Sequence, residues 1–138
     1  MTLSNHMQIV GILLMLLGLS HVFFNRYFQW EKELATVSLL TRKIFFVHSF
    51  FIALTVTLFG ALSFFYADAL LQPTALNRAI LVGMVTFWLC RLFAQFFAYD
   101  AAIWRGDRFS TFVHVAFTLL WCYVSAIYGI SLAVVWRL

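Results

Sequence analysis

Four uninterrupted apolar runs, each about as long as a bilayer is thick, constrain this chain more than any other feature. They cover about Met7 to Phe24, Ile44 to Ala67, Ala79 to Ala98 and Phe109 to Trp136. A helix rises 1.5 Å per residue, so roughly 20 apolar residues cross a hydrocarbon core of about 30 Å, and the longer fourth run must tilt or project beyond it. A transmembrane β-strand would alternate apolar and polar residues over about ten positions, and no such alternation is present. The expected fold is therefore an all-α integral membrane protein. It is a single four-helix transmembrane bundle spanning residues 1–138, with helices at about 7–24, 44–67, 79–98 and 109–136.

Composition agrees: 64% of the residues are hydrophobic and 10% charged, where soluble domains carry about 25% charge. The formal net charge of +4 does not argue for nucleic acid, because the basic residues collect at the ends of the apolar runs. The expected partners are the lipid bilayer and a further copy of the chain or a larger membrane complex, with no nucleic acid. Cys90 and Cys122 fall inside apolar runs and are expected to be small buried hydrophobes rather than disulfide partners. The N-terminus lacks the basic n-region and cleavage site of a signal peptide, so the first run is expected to persist as a span.

Charge asymmetry gives the orientation. The segments after the first and third runs carry Arg26, Lys32, Arg42, Lys43, Arg105 and Arg108, six of the nine Lys and Arg residues, while the opposite ends carry Arg78 and Arg137. Positive residues are retained on the cytoplasmic side, so both termini are expected outside, most simply in a bacterial inner (plasma) membrane. The turn Gln72-Pro73-Thr74 is expected to start the third span, with Pro in the first turn, where an N–H has no partner. Trp104 and Phe109 flank the turn Arg105-Gly106-Asp107-Arg108, and Asp107 or Ser110 is expected to cap the fourth span. Tyr27, Trp30, Leu34 and Val37 recur every three or four residues, which predicts a short amphipathic helix in the cytoplasmic interface. Ser125, Gly129 and Ala133 form a small-residue stripe that allows close approach of another helix.

Candidate chemistry is confined to one polar layer. Counting from the cytoplasmic ends, His21, His48 and His114 all lie roughly 5–10 Å inside the boundary. The third span adds Arg91 and Gln95 at i and i+4, then Tyr99 and Asp100, and Asn25 follows His21 by one turn. Ser49, Thr111 and Thr118 place hydroxyls near the histidines. A charge facing lipid costs about 2.5–3.5 kcal/mol at mid-helix on insertion scales, so Arg91 is expected to face inward toward Asp100, Tyr99, Gln95 or a bound anion. Neutral imidazoles from facing helices are suitable iron ligands, so two of the three histidines could hold haem b, with Arg91 near a propionate. All three could instead bind a non-haem metal ion with an open position, which would suit an oxidoreductase. Against these stand a non-catalytic accessory or assembly subunit and, with no acid deep in any span, a weaker case for proton or ion transport. No HExxH, CxxC or clustered histidine box is present.

The orientation has a direct check. In a background lacking Cys90 and Cys122, a single cysteine at Glu33 is expected to resist a membrane-impermeant thiol reagent in intact cells and to react after lysis. Labelling from outside in intact cells would reverse the assignment.

Overall fold

The computed structural model describes residues 1–98 and 107–138, apart from the Asn25 side chain. It contains six helices among those residues: α1 (Leu3–Tyr27), α2 (Trp30–Glu33), α3 (Leu39–Phe65), α4 (Ala67–Leu70), α5 (Ala75–Phe97) and α6 (Arg108–Arg137). Helices α1, α3, α5 and α6 are long and apolar enough to cross a membrane, so the chain is an all-α, multi-pass integral membrane protein. All four extend past the apolar runs at one or both ends, because a polar turn can lie in the headgroup region without desolvation.

Local chemistry sets where these helices begin. Ser38 caps α3 by accepting the Thr41 N–H at 3.2 Å. Thr74, not Pro73, caps α5: its hydroxyl accepts from the Asn77 N–H at 3.1 Å. Pro73 thus stands just before the cap instead of in the first turn, where its fixed φ holds the chain extended as it enters the cap. Asp107 caps α6, its carboxylate accepting the Ser110 N–H at 2.7 Å. Bonds from the Ser110 side chain and N–H hold the Asp107 carboxyl below its usual range, since they favour the ionised form.

The interfacial helix is shorter than the periodicity predicts. Tyr27 belongs to the last turn of α1, and Gln29 adopts a left-handed backbone (φ 49°, ψ 39°) that breaks the helix before α2 begins. One turn follows, and Leu34 to Val37 continue as tight turns with Ala35 N–H on the Lys32 carbonyl and Val37 N–H on that of Leu34. What ties this segment to the spans is aromatic. Phe28 stacks on Trp30 at 5.9 Å, and Trp30 meets Phe45 of α3 edge-on at 4.9 Å.

The chain divides into two compact units, Met7–Ala67 and Met1–His6 with Asp68–Leu138. In the first, α1 and α3 run antiparallel with their backbones almost touching. A Cβ on Gly11 would lie 2.6 Å from Phe64 N and 2.7 Å from Gly60 O, and one on Gly60 would lie 2.7 Å from both Gly11 O and Met15 N. One turn or two further along, Gly18 faces the Ala53 carbonyl, 2.9 Å from where its Cβ would be. Lipid tails are as apolar as leucine, so close packing of small residues supplies attraction that hydrophobicity does not.

The second unit is built differently, from large side chains. Leu81, Met84, Trp88 and Gln95 line the buried face of α5 at helical spacing, and Trp121, Val124, Ser125, Tyr128, Ser131 and Val135 do so on α6. Arg78, in the first turn of α5, donates from Nε to the Val135 carbonyl at 3.2 Å and lies 5.7 Å over the Trp136 ring. It thereby serves a carbonyl near the α6 C-terminus, the end where a cation is favoured. The small-residue stripe is divided: Ser125 is buried, whereas Ala133 is exposed and a Cβ on Gly129 would meet nothing within 4 Å. Cys90 and Cys122 are exposed rather than buried, each lying off the packed stripe of its helix.

Because a methyl on Gly60 strikes backbone that cannot give, Gly60→Ala is expected to destabilise the protein in detergent by about 1–3 kcal/mol. Gly83 has open space at its Cβ position. There, Gly83→Ala is expected to be neutral or to stabilise by up to about 1 kcal/mol through helix propensity. Unfolding of both variants in mixed micelles checks the contrast.

Candidate polar site

The polar groups of the second unit are assembled around one amide. Gln95 is only 4% exposed, and its side chain meets three others. Its Oε1 accepts from Arg91 Nη1 at 3.2 Å, one turn earlier on α5, and from Trp121 Nε1 at 3.2 Å, across on α6. Both partners can only donate, which fixes the amide orientation and makes Nε2 the atom facing His114 Nδ1 at 2.8 Å. The amide therefore donates and the imidazole accepts. His114, when neutral, carries its proton on Nε2.

Aromatic rings enclose this network. Trp121 stacks on Trp88 with centroids 5.2 Å apart and planes at 19°, and Phe117 lies 5.7 Å from Trp121 on the same helix. The Arg91 guanidinium sits 4.7 Å from the Trp121 ring centre. A cation over a tryptophan face is worth about 0.5–2 kcal/mol as its exposure falls, and Arg91, half-buried, gains from the ring part of what it gives up in hydration. The inward orientation expected of Arg91 is thus met by Gln95 and Trp121. Tyr99 and Asp100, and the Asn25 side chain, lie outside the described residues, as do Trp104, Arg105 and Gly106.

His21 and His48 lie in the other unit, on α1 and α3. Each turns its Nδ1 onto the carbonyl one turn back on its own helix, His21 to Leu17 and His48 to Ile44, both at 2.8 Å. A carbonyl only accepts, so both rings are protonated at Nδ1 and, when neutral, hold a lone pair at Nε2. His21 is half-buried and His48 exposed. The hydroxyls expected beside His114 are spent on backbone: Thr118 donates to the His114 carbonyl and Thr111 to that of Asp107. Among the described residues no three His, Cys, Asp or Glu side chains gather as ligands for a metal ion.

Sequence reading missed two participants and one separate polar contact. Trp88 falls three residues before Arg91 and seven before Gln95, and Trp121 seven after His114, so helical phase would have placed both on the polar faces. His6, which lies outside the apolar runs, makes a separate contact: its Nδ1 is 2.9 Å from the Tyr123 hydroxyl. Two buried polar atoms, Trp88 Nε1 and Ser125 Oγ, have no hydrogen-bond partner among the described residues.

Replacing Gln95 by Leu would strand the buried Trp121 N–H, at a cost of about 1–3 kcal/mol. Gln95→Leu is therefore expected to lower stability by that amount, and the loss should be smaller in a Trp121→Phe background. The coupling between the two, read from a double-mutant cycle in micelles, should approach the roughly 1.7 kcal/mol maximum found for polar contacts between membrane helices. Strict additivity would mean the contact contributes nothing. No family model, no curated protein and no solved structure matches this chain.

Proposed function

We propose that the chain is a non-catalytic subunit of a larger membrane assembly, with both termini outside and its basic loops in the cytoplasm. The observation that carries this reading is the closure of the polar network. Gln95 uses three of its four hydrogen-bonding positions on Arg91, Trp121 and His114, so the most polar stretch of α5 and α6 is spent on holding the two helices in register. Chemistry on a substrate needs polar groups held ready for it, and these are directed at one another. The outward positions Gly129 and Ala133, with Gly83, offer shallow surface against which another span can pack.

A second reading rests on a separate observation, the shared tautomer of His21 and His48. A histidine that donates Nδ1–H to a carbonyl presents Nε2 to a metal, the arrangement metal-bound histidines commonly adopt. Haem b needs only two such ligands, so this reading does not depend on a three-residue metal group.

The two readings separate experimentally. Protein purified in a mild detergent from its native membrane is expected to carry a stoichiometric membrane partner, which Gly129→Leu should release without lowering the subunit's own melting temperature. It should show no Soret band. A Soret band lost in both His21→Ala and His48→Ala, with helicity retained, would overturn the subunit reading in favour of haem; a monomer with neither partner nor chromophore would contradict both.

A further inference from the structure

Beside α2, the outer face of α3 forms a groove of about 850 Å³ whose two halves differ in chemistry. Arg42 and Lys43 line it toward the start of α3, and Phe46, Val47, Phe50 and Phe51 line it further along the helix. These six positions recur at one and four residues and therefore share one helix face. From Lys43 to Phe51 the groove follows α3 for about 12 Å, running from the basic end of the span toward the hydrocarbon. Among the described residues, neither the Arg42 guanidinium nor the Lys43 ammonium has an ion pair or a hydrogen-bond partner.

We infer that this groove binds one anionic glycerophospholipid, its phosphodiester between Arg42 and Lys43 and one acyl chain laid along the phenylalanines. A cation pair at headgroup depth above an apolar channel matches the two parts of such a molecule, and neither part alone accounts for both halves of the groove. Glu31 stands at the lip and would repel a phosphate, but it also lines the adjoining recess with Arg26 and Lys32. With Glu33 of the same short helix counted, two carboxylates stand among four cations, which leaves the local field positive and favours an anionic over a zwitterionic headgroup. Gln29 helps shape that recess. Its left-handed backbone turns the chain out of α1, and its side chain accepts from Lys32 Nζ at 3.1 Å.

The test uses the full chain in nanodiscs of phosphatidylcholine alone or mixed with phosphatidylglycerol, with lipids retained after detergent extraction counted by native mass spectrometry. One phosphatidylglycerol is expected to remain bound, and the Arg42→Gln/Lys43→Gln variant should lose it by about tenfold or more. Phe50→Ser should weaken retention without changing net charge, and Arg137→Gln, a basic residue that does not line the groove, should leave it intact. Circular dichroism on each variant separates lost binding from lost fold, and Phe50→Ser serves as the second probe if the double variant fails to fold. Equal retention of phosphatidylcholine would overturn the proposal, as would unchanged retention in both groove variants. So would displacement of the lipid by inorganic phosphate at equal concentration, because the acyl chain would then contribute nothing.

Discussion

The amide of Gln95 is the contact on which the α5–α6 unit depends. An unsatisfied amide in an apolar interior costs several kcal/mol, so once Gln95 is buried its partners must be in place. Their positions fix much else. Oε1 between Arg91 and Trp121 sets the rotation of α5 against α6, and Nε2 on His114 sets their axial register. The Trp88–Trp121 stack and the Arg78 bond to Val135 then fall along the same antiparallel seam, and each repeats the register that the amide imposes. Polar contacts of this kind are individually modest between membrane helices. Their directionality supplies what dispersion among leucines and phenylalanines cannot, a single preferred alignment.

The α1–α3 unit reaches definition by the opposite route. Gly11, Gly18 and Gly60 remove side chains where the helices cross, and Thr57 satisfies its hydroxyl on the Ala53 carbonyl within its own helix. Backbone packing leaves no space for a network between these helices where the glycines lie. The histidines and charged groups of this unit lie at its basic end, where His21 and His48 bond their own helices and Arg42 and Lys43 border the groove.

Hydrophobic run length was sufficient to locate all four spans, because the bilayer sets one length for every crossing. Capping chemistry was legible at Asp107, where an acidic side chain precedes the apolar run. It was misread at Pro73, since proline is compatible with both the first turn and the residue before the cap, and only the Thr74 hydroxyl decides between them. Depth could be counted for the histidines, but ring direction could not: a His and the carbonyl one turn back are always available to each other, and nothing in the spacing tells whether a ring takes that bond or crosses to a neighbour. His21 and His48 take it, and His114 crosses. The amphipathic period from Tyr27 to Val37 overstated α2 because a left-handed residue at Gln29 leaves no trace in hydrophobic pattern.

That difference in ring direction is directly observable. Nitrogen-15 solid-state NMR of histidine-labelled protein in lipid bilayers, held at a pH where the imidazoles are neutral, reports which ring nitrogen bears the proton. Assignment comes from single His→Gln variants. The expected spectrum has His21 and His48 protonated at Nδ1, and His114 protonated at Nε2 with Nδ1 shifted as a hydrogen-bond acceptor that Gln95→Leu abolishes. A His114 protonated at Nδ1, or one indifferent to Gln95, would show that the amide does not join the two helices and would remove the basis for the register described here.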